Sequence, residues 1–257
     1  MQYEAHAKVN IFLKIVGIRG NYHELFSRFM LVSHLFDTLS FVPKSSRMPF
    51  ELVGDFNCAL EQNTVYKIFQ TLQKHGFDTE IQNVMHHEAL HVNKRIPSGA
   101  GLGGGSSDAA TFLKMLNDRA DLKLSAEDMM ALGAEVGADV AFFASGYTSA
   151  NVRGIGEKVE AYDEAPLDLD VFTPPLACDT ARVYRTYREY FLQFINPSLA
   201  ASMVDMSSEA LLQSFGKEEL NDLYPACLQA YPELRSYEKE GWFFSGSGSS
   251  FFRMKEK

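Results

Sequence analysis

Apolar and polar positions alternate from Ala7 to Val16, placing Val9, Ile11, Leu13 and Ile15 on one face of a predicted strand. Gly17 to Asn21 interrupts the pattern as a turn. From Leu25 to Val42 the run is apolar and partly β-branched, and Asp37-Thr38 is the expected turn before its last four residues. The period lengthens after Asn63. Residues 63–75 carry a helical pattern, with Asn63 or Thr64 as the cap and Gly76 as the stop. Residues 79–94 suit strands and a helix equally. A helix opening at Ser106 or Ser107 carries Ala109, Ala110, Phe112, Leu113 and Leu116. Ser125 caps the next helix, with Asp128 forming a capping box and a stop between Gly133 and Gly137.

A short apolar run, Val140 to Ala144, precedes an expected β-hairpin over 146–159, and Glu164 to Pro166 reads as a linker. Beyond it the pattern predicts a strand over 167–175 and helices over 180–194, 207–215 and 220–228. Residues 241–254 read as strand, glycine turn, strand. Strands and helices come in clusters and do not alternate strictly, so the expected fold class is α+β.

Composition narrows the picture. At 257 residues, 46% hydrophobic and 12% aromatic, the chain has material for a substantial core in one large domain or two smaller ones. The net charge of −9 gives no global electrostatic case for binding nucleic acid or an anionic membrane. No stretch reaches the ~20 apolar residues of a membrane span, and the N-terminus lacks the layout of a signal peptide. Cys58, Cys178 and Cys227 are far apart in sequence and form no CxxC pair, which suits buried thiols in a reducing, cytoplasmic setting.

The candidate chemistry concentrates in Ile96 to Ala110, IPSGAGLGGGSSDAA, where five glycines lead into a helix. Glycine lets backbone amides approach an anion, and a helix N-terminus adds unpaired N–H groups and a positive dipole end. A plain tight turn would not need so many glycines. Gly99, Gly101 and Gly104 spell GxGxxG, but the motif sits far from the first strand and follows Pro97, unlike a dinucleotide fingerprint. No Gly-Lys-Ser/Thr closes it as a Walker A loop, and the HRD and DFG motifs of protein kinases are absent. His87-Glu88-Ala89-Leu90-His91 is a formal HExxH, yet no third ligand follows at useful spacing.

The glycine block resembles the signature of the GHMP small-molecule kinases, the family of galactokinase, homoserine kinase and mevalonate kinase. Three other blocks are similar to the family's in the same order: AHAKVNIFLKIVGIRGNYHELFSRF, GADVAFFASG and FFSGSGSSFF, so that the resemblance spans residues 5–252. The triple glycine followed by SSDAA resembles the branch that acts on cytidine diphosphate methylerythritol, in the non-mevalonate route to isopentenyl diphosphate.

That resemblance implies a two-domain α+β fold. Residues 1–150 would form an ATP-binding and catalytic domain, ribosomal protein S5 domain 2-like, and 151–257 a substrate-binding domain. It implies a phosphotransferase moving phosphate from ATP, with Mg²⁺, to the 2-hydroxyl of the methylerythritol unit, in a monomer or homodimer. Asp139 would be the general base and Lys8 the fixed positive charge beside it. ATP would be held by Pro97, Gly99, Gly101, Leu102, Gly103, Gly104, Gly105, Ser106 and Ser107, with Asn63 and Lys94 near adenine or ribose. Ser107 is also a candidate Mg²⁺ contact, although carboxylate ligands are not evident. Tyr22 would stack on the cytosine and His23 bond its edge. Thr180 and Tyr184, at i and i+4, would supply the second face, and Asn10 the base or erythritol hydroxyls.

Asn21 stands where the family usually has Gly, and Ala141 where it usually has Pro. Asn21 is expected to keep the turn through its tolerance of left-handed φ. Ala141 is expected to loosen a loop after Asp139. The chain is also expected to be short for the family.

Overall fold

The computed structural model describes residues 1–255. In chain order the elements are β1 (Gln2–Arg19), β2 (Tyr22–Pro43), β3 (Leu52–Val53), α1 (Thr64–Lys74), α2 (Asp78–Met85), β4 (Glu88–Asn93), α3 (Gly104–Ala120), α4 (Ala126–Val136) and α5 (Ala138–Ser145). There follow β5 (Ser149–Gly154), β6 (Lys158–Ala161), β7 (Leu169–Phe172), α6 (Thr180–Tyr190), α7 (Pro197–Met203), α8 (Ser208–Ser214), α9 (Lys217–Leu220), α10 (Leu223–Ala230), β8 (Phe243–Phe244) and β9 (Phe251–Met254). The expected α+β class holds.

These elements form two interleaved compact units. The first comprises Met1–Ala7, Ser33–Ile96 and Gly103–Tyr147; the second comprises Lys8–Val32, Pro97–Leu102 and the chain from Thr148 on. In the first unit the end of β2 pairs antiparallel with β4, Thr38 opposite Asn93, and β3 lies parallel to β4. The apolar stripes of the helices close over this sheet. Val65, Ile68, Phe69 and Leu72 of α1, Phe112, Leu113 and Leu116 of α3, Leu132 of α4 and Val140 of α5 share one core with Leu39, Leu90 and Val92.

In the second unit the start of β2 pairs antiparallel with β5, from Leu25 opposite Gly154 to Met30 opposite Ser149, and β5 turns into β6. A separate antiparallel sheet runs β7-β9-β8, and α6 packs on α10. The alternation that predicted β1 is real, but its polar face is buried as well: Lys8, Asn10 and Lys14 are as enclosed as Val9 and Ile11. Lys14 is neutralised by Asp222, whose second carboxylate oxygen accepts from Ile15 N at 2.7 Å.

Several expectations change. Asp37-Thr38 is no turn: β2 runs straight through it, because the Asp37 carboxylate is satisfied by groups some sixty positions on (below). The ambiguous 79–94 splits into α2 and β4, so His87 and His91 of HExxH do not share a helix. Helix α3 opens at Gly104, ahead of Ser106, with Gly103 at its cap. Asp139 lies in the first turn of helix α5, so no loop follows it, and Ala141 is buried inside the same helix. The left-handed residue of the β1–β2 turn is Gly20, φ +60, and among the described residues only Asp121 and Lys123 are non-glycines with positive φ. Asn21 therefore does not need its left-handed tolerance. Cys58 is exposed, contrary to the expectation of buried thiols, while Cys178 and Cys227 are buried with sulfurs 3.6 Å apart.

Candidate active site

The glycine loop has a specific backbone form. Gly99, Gly101 and Gly103 take φ of +66, +74 and +72, and the intervening Ala100 and Leu102 do not, so the sign of φ alternates across five residues. Alternation of this kind turns successive N–H groups toward one concavity, an anion-binding nest. The carbonyls are engaged elsewhere. Gly99 O accepts from Cys178 N at 3.0 Å and Ala100 O from Ser250 N at 3.1 Å. Gly101 O accepts from Lys8 Nζ at 3.1 Å and Ser245 Oγ at 3.0 Å, and Leu102 O from Lys8 N at 3.0 Å. A side chain at Gly101 would run into Ser245 O, so glycine is required there by space as well as by φ.

Past Gly103 the loop becomes α3. The first helical N–H with an intrahelical acceptor is that of Ser107, bonded to Gly103 O at 2.9 Å. Helix geometry leaves the preceding amides, on Gly104, Gly105 and Ser106, without one, at the positive end of a 17-residue helix. These groups suit a polyphosphate. Ser107 is buried and Ser106 half-buried, both in the first turn.

In the second unit Lys8 Nζ donates to Asn10 Oδ1 at 2.7 Å, and Asn10 Nδ2 donates to Ser27 Oγ at 2.9 Å. The buried lysine is thereby fixed beside the loop by Asn10 of β1 and by Gly101 O. The C-terminal glycine turn supplies Ser245 to Asn10 N and to the loop, and Ser247 Oγ lies 2.9 Å from Thr180 Oγ1. His23 is buried, with no hydrogen-bond partner at Nε2, and its ring centre is 5.0 Å from that of Tyr184 and 5.9 Å from that of Tyr187. Burial lowers the His23 pKa, and the Arg188 charge lowers it further. Tyr22 is 63% exposed, so its ring is available to a ligand.

The first unit holds the other predicted residues. Asn63 caps α1, accepting from Val65 N at 2.9 Å, and Thr64 Oγ1 donates to Gly105 O at 2.7 Å. Lys94 is gripped by two buried carboxylates, Asp37 and, at 2.6 Å, Asp108. Burial works against the Lys94 ammonium, but the carboxylates outweigh it and raise its pKa. Burial, with Asp37 adding to it and Lys94 opposing, pushes the Asp108 carboxyl up to about 7, and its Oδ1 has no partner. Asp37 also accepts from Ile96 N at 2.8 Å and from Arg95 N, fixing the entry to the glycine loop. Asp139 is half-buried in the first turn of α5, behind the Gly137 cap.

Thus Lys8, Asn10, Tyr22, His23, Pro97, Gly99, Gly101, Leu102, Thr180 and Tyr184 lie in the second unit. Asn63, Lys94, Gly103, Gly104, Gly105, Ser106, Ser107 and Asp139 lie in the first. Sequence reasoning missed Asp37, Asp108, Ser245 and Ser27. Asp108 stands in the SSDAA block and was within reach, since an acid facing the apolar side of a helix calls for a buried partner.

Comparison with known proteins follows the same blocks. The pattern described as GHMP kinases N terminal domain matches residues 63–147. Over 99% of this chain and 97% of the relative, it is 52% identical to 4-diphosphocytidyl-2-C-methyl-D-erythritol kinase of Sulfurimonas denitrificans. The chain belongs to this GHMP kinase family. It is also 47% identical to the Sulfurovum enzyme of the same name, over 98% of each chain. A crystal structure of 4-(cytidine 5'-diphospho)-2C-methyl-D-erythritol kinase matches with a TM-score of 0.75 and 32% identity, covering 100% of this chain and 90% of that one.

As a member of the GHMP kinases, the chain is a small-molecule kinase, and ATP use comes with the family. The chain spans 97% and 98% of these two relatives and 90% of the chain in that crystal structure. Among the described residues no helix is long and apolar enough to cross a membrane, and no group of three or more His, Cys, Asp or Glu is arranged to hold a metal ion.

Proposed function

We propose that this kinase transfers the γ-phosphoryl of ATP to the 2-hydroxyl of 4-diphosphocytidyl-2-C-methyl-D-erythritol, giving the 2-phosphate and ADP. The observation that carries this reading is the loop of alternating φ at Gly99 to Gly103, with its carbonyls occupied and its amides continuous with the N-terminus of α3. Such a surface holds phosphate oxygens without a cluster of cationic side chains.

Asp139 accepts the proton of the 2-hydroxyl as its oxygen attacks the γ-phosphorus and ADP departs. Lys8 offsets charge on the transferred group. Ser106 and Ser107 hydroxyls complete the phosphate cradle; Mg²⁺, when bound, supplies charge neutralisation on the donor phosphates, with Ser107 among its contacts. Asn63 and Lys94 border the nucleoside of ATP, Lys94 keeping its place through Asp37 and Asp108.

The acceptor is recognised by its base. Tyr22 and Tyr184 present rings to the two faces of cytosine, His23 hydrogen-bonds the base edge, and Thr180 and Asn10 bind polar groups of the substrate. Residues 1–150 act as the ATP-binding and catalytic domain and 151–257 as the substrate-binding domain. Lys8 to Val32 nevertheless belong to the same compact unit as Thr180 and Tyr184, so substrate recognition draws on both stretches. The three free cysteines suit a cytoplasmic enzyme.

The test is ADP release measured with a panel of alcohols. The reading expects turnover with the cytidine diphosphate methylerythritol and none with mevalonate or homoserine. Turnover of another alcohol, with no thermal protection by cytidine nucleotides, would replace it.

A further inference from the structure

Helix α6 presents a stripe that continues past the two residues singled out in sequence. Thr180, Tyr184 and Arg188 follow one another at intervals of four, so they share a face. Arg188 Nη2 donates to Gly20 O at 3.3 Å, and Gly20 is the left-handed residue of the β1–β2 turn. Tyr22 and His23 stand two and three residues after Gly20. The bond therefore ties the hairpin that carries one half of the base-binding clamp to the helix that carries the other. All of these residues lie in the second unit.

The same guanidinium acts on His23. Its ring packs against Tyr184 and Tyr187, is buried, and keeps Nε2 without a partner. Tyr184 and Tyr187 are thus the α6 groups whose rings meet it, and the Arg188 charge on the same helix lowers its pKa.

We propose that Arg188 is a positioning residue for base recognition: it ties the Gly20 turn to α6 and sets a permanent positive charge beside the His23 ring. This rests on the assignment of His23 to the base. The consequence is chemical. Cytosine presents an exocyclic N4–H₂ donor, where uracil presents a carbonyl oxygen. A neutral imidazole has a lone pair with which to accept from that amine, and an imidazolium has none. Burial and Arg188 together keep His23 in the accepting form, which favours cytosine over uracil. Without the Arg188 charge the imidazole protonates at higher pH and the preference weakens.

Arg188→Met and Arg188→Lys test this beside the wild type. The measurements are CMP and UMP binding, steady-state constants, and the NMR titration of His23. For Arg188→Met the proposal expects about a tenfold weaker CMP affinity, a similar rise in KM for the cytidine substrate, and kcat and the KM for ATP within about twofold. The His23 midpoint moves up, and the CMP-over-UMP preference shrinks. Arg188→Lys, which restores a charge and a donor, returns the His23 midpoint and most of the CMP affinity. Unchanged CMP binding in Arg188→Met, or an unchanged His23 midpoint, overturns the proposal while leaving the base-binding role of His23 standing. A wild type that binds no CMP would instead remove the functional reading, and this inference with it.

Discussion

At the scale of single residues, the least expected feature is the Asp37–Lys94–Asp108 cluster. One ammonium faces two buried carboxylates, and Asp108 is left with an unpartnered oxygen. Because its folded pKa of about 7 lies above the ordinary 3.8, the native state binds the extra proton. Its contribution to stability is present at low pH and is lost as pH rises toward 7. Asp108→Asn removes that titration. Denaturant unfolding at a series of pH values should show the variant gaining on the wild type from about pH 4 to about pH 7. Parallel pH curves would contradict the assignment. Lys8, Asn10, Tyr22 and His23 stand out in sequence because they sit in a recognisable block. Asp37 was not: its partners lie at 94–96, and a local pattern reads a lone Asp in an apolar run as a turn.

At the scale of elements, local signals performed best where the cap is local. Asn63 and Ser125 both cap as expected, and the Ser125–Asp128 box forms completely. They failed where tertiary structure decides. The start of α3 is set by Gly103 in left-handed φ, not by a serine side chain, and α5 forms where Val140 to Ala144 read only as a short apolar run. The glycine loop makes a sharper demand. Gly101→Ala combines a positive φ with a collision against backbone atoms of the C-terminal turn, whereas an added Cβ at Gly105, inside α3, would come no nearer than 3.3 Å to Thr64 Oγ1. Thermal unfolding and ATP titration should find Gly101→Ala destabilised by more than about 2 kcal/mol with ATP binding lost. Gly105→Ala should stay within about 1 kcal/mol of the wild type. Equal effects at the two positions would show that the loop's backbone form is not what holds the phosphates.

At the scale of the whole molecule, the boundary between the compact units falls inside the glycine loop, at Leu102/Gly103. One half of the loop is bonded into the unit that carries Lys8 and His23, and the other opens the helix of the unit that carries Asp139. The two contiguous halves were implied by the resemblance, and hydrophobic periodicity cannot report that residues 8–32 and 97–102 join the later chain. The four sequence blocks did report the family, because each preserves a chemical group and not merely a fold. The account's central claim is that Asp139 takes the acceptor proton while the loop holds ATP. It is tested most directly by steady-state kinetics of Asp139→Asn with ATP and 4-diphosphocytidyl-2-C-methyl-D-erythritol. The account predicts kcat lower by about 10²–10⁴-fold with the KM for ATP nearly unchanged. Turnover at the wild-type rate would contradict it.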